Sequence, residues 1–162
     1  MELYLIRHAD SLPLGEQEIT EDEHRPLSER GEQQAAALGR FVAKRGLRFD
    51  LVVSSPLVRA QRTAEIMLKA ADLGAVEIVE SSALNPKART KKLSRYLLRS
   101  NAESVALVGH LPHLADFVAW VIGGKKAEVE LVKAGIAHVS CGDSPIKGNG
   151  VLHWLVTPAF FE

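Results

Sequence analysis

Hydrophobic positions along the chain fall into two kinds of stretch: short unbroken apolar runs, and longer segments where apolar residues recur every three or four positions. "LYLI" (3–6), "FDLVVSS" (49–55) and "SVALVGH" (104–110) are of the first kind and read as strands covered on both faces of a sheet. "AVEIVE" (75–80) is a weaker fourth. Residues 28 to 45 are of the second kind: Ala35, Leu38, Phe41 and Val42 mark one face, Ser28 suits the N-cap, Glu29 the first turn and Gly46 the stop. In "SPLVRAQRTAEIMLKAA" (55–71), Ala64, Met67, Leu68 and Ala71 repeat the helical spacing, with Ser55 and Pro56 suited to the N-cap and first position. The irregular "SSALNPKART" (81–90) precedes a short helix marked by Leu93, Tyr96 and Leu97. "PHLADFVAWVIGG" (112–124) is a helix opening on Pro112, with Leu114, Phe117, Val118 and Val121 inward and two glycines at its end. "GIAHVSC" and "GVLHWLV", joined by the turn-rich "GDSPIKGNG", read as a terminal hairpin.

Strands that alternate with helices predict an α/β fold, a single-domain three-layer sandwich with a mostly parallel central sheet and helices on both faces. At 162 residues the chain suits one domain spanning 1–162, and no repeat, low-complexity tract or linker divides it. Twenty Lys and Arg against twenty Asp and Glu produce no global basic field, which disfavours nucleic acid or an acidic membrane as the main partner. Cys141 has no second cysteine to pair with, which fits a reducing compartment. The chain opens directly into a strand without a leader pattern, and the apolar run around "FVAWVIGG" is well short of the roughly 20 residues that span a bilayer. The expectation is a cytoplasmic monomer.

Several polar residues sit where such a fold gives them no structural reason to be. Strand one ends in Arg7 and His8, strand two runs through Ser54 and Ser55 into a helix carrying Arg59, and the strand at 104–110 ends in Gly109 and His110. All three ends face the rim where open parallel sheets bind ligands. Burying an unpaired cation is costly, and Arg59 in the first turn of a helix is opposed by the macrodipole. One dianionic phosphoryl group resolves every conflict: two guanidinium forks match its oxygens, and the helices near Pro56 and Pro112 direct free N–H groups at it. Between such cations the imidazole of His8 stays unprotonated, so one ring nitrogen can attack phosphorus if the other donates to a fixed acceptor, forming a phosphohistidine intermediate. His110 then donates to an equatorial oxygen as charge builds. The predicted catalytic set is His8, Arg7, Arg59 and His110, the last three binding phosphate, with no cofactor. His110 and His113 lie one turn apart, but no cysteine or carboxylate gathers with them, so no metal is expected. His113, His138 and His153 are read as packing or exposed residues, and "KARTKK" as a solvated face.

These segments carry a family resemblance. "LIRHAD" resembles the R-H-G signature of the histidine phosphatase superfamily, the phosphoglycerate-mutase-like fold. "RPLSERGEQQAAALG" is similar to the family's lead into its first helix, "VVSSPLVRAQRTAE" to its S-x-x-x-R-A-x-x-T segment and "LVGHLPHL" to its distal histidine motif, all in the family's order. The tail "NGVLHWLVTP" resembles the short branch typified by bacterial phosphohistidine phosphatases. The resemblance implies His8 as nucleophile and Arg7, Arg59 and His110 as the phosphate pocket. Ala9 departs from it, standing where the signature has Gly, a residue free to take positive φ. So does the brief stretch at 81–90, which holds no carboxylate where longer members carry the acid that protonates an alkoxide leaving group. Asp10 and Glu80 are the fallback acids, and His24 with Arg25 is placed to touch substrate. Loss of acid catalysis costs roughly 10²–10⁴ in rate, a cost that falls on an alkoxide and not on a protonated imidazole. The preferred substrate is therefore phosphohistidine on a protein. The alternatives are a small phosphomonoester and, in a different class, a phospholigand-binding module without turnover.

Overall fold

The computed structural model describes residues 1–124 and 127–162. Its centre is a six-stranded sheet built from β1 (Glu2–Arg7), β2 (Leu51–Ser54), β3 (Ile78–Glu80), β4 (Ser104–Gly109), β5 (Ile136–Cys141) and β6 (Gly150–Val156), in the order β3-β2-β4-β1-β5-β6. The first four strands are mutually parallel, β5 runs antiparallel to β1, and β6 runs antiparallel to β5. Among the described residues, four α-helices, α1 (Glu29–Lys44), α2 (Val58–Ala70), α3 (Thr90–Leu97) and α4 (His113–Val121), cover the sheet. Alternation along β1 sorts the layers. Leu3 and Leu5 pack with Leu93, Leu97, Leu114 and Phe117 of α3 and α4, whereas Tyr4 and Ile6 pack with Leu38, Val42, Ala64 and Met67 of α1 and α2. The predicted three-layer α/β sandwich is the one observed. Among the described residues, no helix is long and apolar enough to cross a membrane.

Ser28 caps α1 as predicted, its Oγ accepting from Gly31 N at 3.1 Å, and Gly46 follows the helix in the left-handed region. Three boundaries differ from expectation. The strand predicted over 75–80 pairs only over Ile78–Glu80, because it lies at the sheet edge with β2 as its sole neighbour. Pro112 occupies the N-cap of α4 and not its first helical position. The second helix begins at Val58 with Leu57 as an N-cap that offers no side-chain bond, so Ser55 and Pro56 lie outside it. The Ser55 hydroxyl is engaged elsewhere, as the site shows.

Candidate active site

β1 and β4 are in register with Arg7 beside Gly109, so His8 and His110 leave adjacent strands at the same edge. Their ring centroids are 5.0 Å apart. Both rings are buried, His8 at 7% exposure and His110 at 2%. The Nδ1–H of His8 donates to the Ala9 carbonyl at 2.7 Å, an acceptor with no proton of its own, which leaves Nε2 as the bare nitrogen of the neutral ring. The loop carrying this bond is tied down on both sides. His8 N donates to Gly109 O, and Ala9 N donates to Thr63 Oγ1 at 3.0 Å, whose hydroxyl in turn donates to Arg59 O. Ala9 is fully buried and is not among the residues with positive φ, so alanine meets no strain where the family signature has glycine.

Burial above all pushes the His8 pKa down to about 4; the positive charges of Arg59, Arg7 and Lys133 act in the same direction, and the Ala9 bond acts against them. His110 is pushed down to about 3, first by burial and then by His8 and Arg59, with Asp22 pulling the other way. Both imidazoles are therefore neutral at pH 7.

Arg59, on the first turn of α2, is 4% exposed. Its Nη1 donates to Asp22 O at 2.6 Å and its Nη2 to Asp22 Oδ2 at 2.9 Å, so a carboxylate already lies on the guanidinium fork. Arg7 Nη1 donates to Leu131 O at 3.2 Å. His110 Nε2 is 2.9 Å from Ser55 Oγ, which also accepts from Leu57 N. Three buried nitrogens of these residues have no protein partner: Arg7 Nε, Arg59 Nε and His110 Nδ1. Buried polar groups are nearly always satisfied, and unspent donors around a neutral imidazole suit an anion.

The other residues singled out in the sequence are placed differently. Asp10 accepts from Ser28 Oγ at 2.6 Å and pairs with Lys133 Nζ at 2.5 Å; partial burial pulls its carboxyl up, but these bonds outweigh it and hold the group below its ordinary range. Glu80 is exposed at the end of β3, bonded to Gln61. His24 is exposed and pairs with Glu21 at 3.2 Å. Arg25 donates to Leu12 O, Asp22 Oδ1 and Ser11 Oγ, so its guanidinium fastens the 11–27 loop. His113 is buried at the start of α4.

Sequence reasoning missed Asp22 and Lys133. Asp22 sits among six other carboxylates in 16–32 and no periodicity singles it out; Lys133 lies between the last helix and β5 with no motif around it. Thr63 was within reach, since it stands four residues after Arg59 on the same helix face.

Comparison with known proteins bears on the same residues. The model of the histidine phosphatase superfamily (branch 1) matches residues 3–87. An uncharacterized protein of Picosynechococcus sp. is 33% identical over 153 residues, covering 92% of this chain and 90% of that one. The mitochondrial serine/threonine-protein phosphatase Pgam5 of Drosophila melanogaster is 37% identical over 82 residues, 51% of this chain but only 27% of that protein. Among solved structures, the protein histidine phosphatase SixA complexed with tungstate superposes with a TM-score of 0.85 at 23% identity, over 100% of both chains. A protein of Agrobacterium tumefaciens provisionally named phosphohistidine phosphatase SixA gives a TM-score of 0.80 at 25% identity over 97% of each chain.

Proposed function

Because the chain belongs to the histidine phosphatase superfamily, we propose that it is a phosphatase working through a phosphorylated His8, with phosphohistidine on a protein as its preferred substrate. In this reading the lone pair of His8 Nε2 attacks phosphorus, the bond from phosphorus to the leaving atom breaks, and the leaving group departs with that electron pair. Water then attacks the phosphorus of phosphorylated His8 in line; a P–O bond forms as the P–N bond breaks, its electrons return to Nε2, and the water's protons leave with phosphate or to solvent. Charge building on the equatorial oxygens is met by Arg7, Arg59 and His110, so the guanidinium groups do the work assigned to a metal ion in other phosphatases. The observation that carries the nucleophile is the Nδ1–H bond to the Ala9 carbonyl, which presents a neutral ring with Nε2 unprotonated.

Substrate preference rests on the carboxylates. Asp10 is paired with Lys133, and Asp22 is held below its ordinary pKa because bonds from Arg25 and Arg59 outweigh its partial burial. Both are therefore ionised near neutral pH and hold no proton for a departing alkoxide, which needs an acid far more than a departing imidazole does. The names of the two SixA structures described above support this preference.

Labelling quenched in alkaline detergent tests the intermediate: the wild-type enzyme is expected to yield an alkali-stable adduct that later acid treatment removes, and His8→Ala no adduct and no turnover. Side-by-side turnover of a phosphohistidine protein and a panel of sugar phosphates tests the preference. Faster hydrolysis of the sugar phosphates would transfer the assignment to small esters, and phosphate binding without turnover of any substrate would make the protein a binding module.

A further inference from the structure

At the opposite end of the sheet, the face carrying α1 and α2 gathers a second cluster of titratable side chains. Glu2 opens β1, five residues before Arg7, about 16 Å away at the strand rise of roughly 3.3 Å per residue. His138 is on β5 and His153 on β6. A β-bulge brings the two histidines together: Trp154 is opposite His138 and Leu152 opposite Val139, so His153 is the extra, unpaired residue and its side chain is re-aimed. The His138 ring is stacked between Tyr4 and His153, with centroids 4.7 Å away on each side. Its Nε2 is 2.5 Å from Glu2 Oε2, and His153 Nε2 is 2.7 Å from Ser140 Oγ. One ring nitrogen of each histidine and one Glu2 oxygen lie within 4.8 Å of one another, the one such group of three among the described residues.

We propose that Glu2, His138 and His153 form a binding site for a divalent zinc-class cation, separate from the phosphatase site. Two imidazoles and a carboxylate, with no thiolate, are the donor set of a three-ligand zinc site whose remaining positions hold water. At 2.0–2.1 Å from the metal, tetrahedral ligands stand roughly 3.4 Å apart. The ion takes the place of the proton shared by His138 and Glu2, separating those two atoms, while the His153 ring moves in as the third ligand. His153 is exposed and can turn about its side-chain torsions, leaving Ser140 Oγ and the stack on His138. Stacking on Tyr4 fixes His138, supplying the orientation that metal-bound imidazoles require. The ion joins the first residue of β1 to the antiparallel hairpin, so its consequence is structural: it clamps the sheet edge.

Titration of chelator-treated full-length protein with Zn²⁺, by calorimetry and by melting temperature, tests the site. The wild type is expected to bind one equivalent outside the catalytic centre and to melt at higher temperature. Glu2→Gln and His153→Ala, both at exposed or half-buried positions, should each weaken that binding by roughly tenfold or more and abolish the rise, with metal-free phosphatase activity unchanged. His138 is left intact because removing a ring stacked on Tyr4 risks the fold. Absence of binding to the wild type, or undiminished affinity in both variants, would overturn the assignment. Zinc held by His8 and His110 shows itself as inhibition that persists in the variants.

Discussion

His8 performs in this reading only if it is neutral, and that requirement ties its chemistry to stability. In the folded protein its pKa is about 4, against 6.5 for the free side chain. Between those values the unfolded chain binds more protons than the folded one, so stability rises with pH. The contribution is fully present above about pH 6.5 and is lost as pH falls through 4, on the order of 3 kcal/mol for His8 alone. Urea midpoints in phosphate-free buffer should therefore drop between pH 7 and 4.5, and His8→Ala should flatten that slope; an equal slope in the variant would mean that His8 is not the buried neutral group described. The same residue was the most legible in the sequence. A polar residue ending an apolar run, with Arg59 and His110 ending others, announces a shared ligand because each is costly alone. Asp22 and Lys133 carried no such mark, since an acidic residue in an acidic loop and a lysine between elements violate no local rule. What gives them a role is only the tertiary contact, Asp22 with Arg59 and Lys133 with Asp10.

Elements hold this geometry through a few close approaches. A Cβ at Gly31, on the first turn of α1, would stand 1.9 Å from the Asp10 carbonyl, two residues beyond His8. Gly31→Ala must therefore push α1 or the His8–Asp10 loop aside, and overpacking of this kind costs typically 1–3 kcal/mol. The melting temperature is expected to fall by roughly 2–4 °C per kcal/mol, with a lower kcat as Ala9 and its bond to His8 shift. A variant that melts lower yet keeps full kcat would show that the loop is anchored by Thr63 and Gly109 without α1. The apolar runs announced β1, β2 and β4 because each is sheathed on both faces, and the 3.6-residue period announced α1 and α2. Pattern is silent on the loop at 11–27, whose short 3-10 turns bury no residue and whose course is set by Arg25 reaching Leu12, Ser11 and Asp22. It is equally silent on the start of α2, where Leu57 is the N-cap and the Ser55 hydroxyl meets His110.

At the scale of the molecule, the site holds hydrogen-bonding capacity that the fold leaves unspent, so ligand binding should register in global stability. Arg7 Nε, Arg59 Nε and His110 Nδ1 are buried without partners, and an oxyanion that engages them binds the folded state alone. Linkage then gives about 2.7 kcal/mol at a ligand concentration one hundred times Kd, a rise of roughly 5–10 °C for a chain of this size. Inorganic phosphate is the probe. Arg59→Ala should erase the rise, because the buried fork that carries the anion's charge is gone. Asp22→Asn should act in the opposite direction: the carboxylate that now covers Arg59 competes with phosphate for the same fork, so neutralising it should lower the stability of the free protein and tighten phosphate binding several-fold. If Arg59→Ala keeps the full phosphate-dependent rise, the anion binds elsewhere and the cationic cup around His8 loses its meaning. If Asp22→Asn leaves phosphate affinity unchanged, Asp22 swings clear of Arg59 at no cost, and its pairing there does not compete with phosphate for the fork.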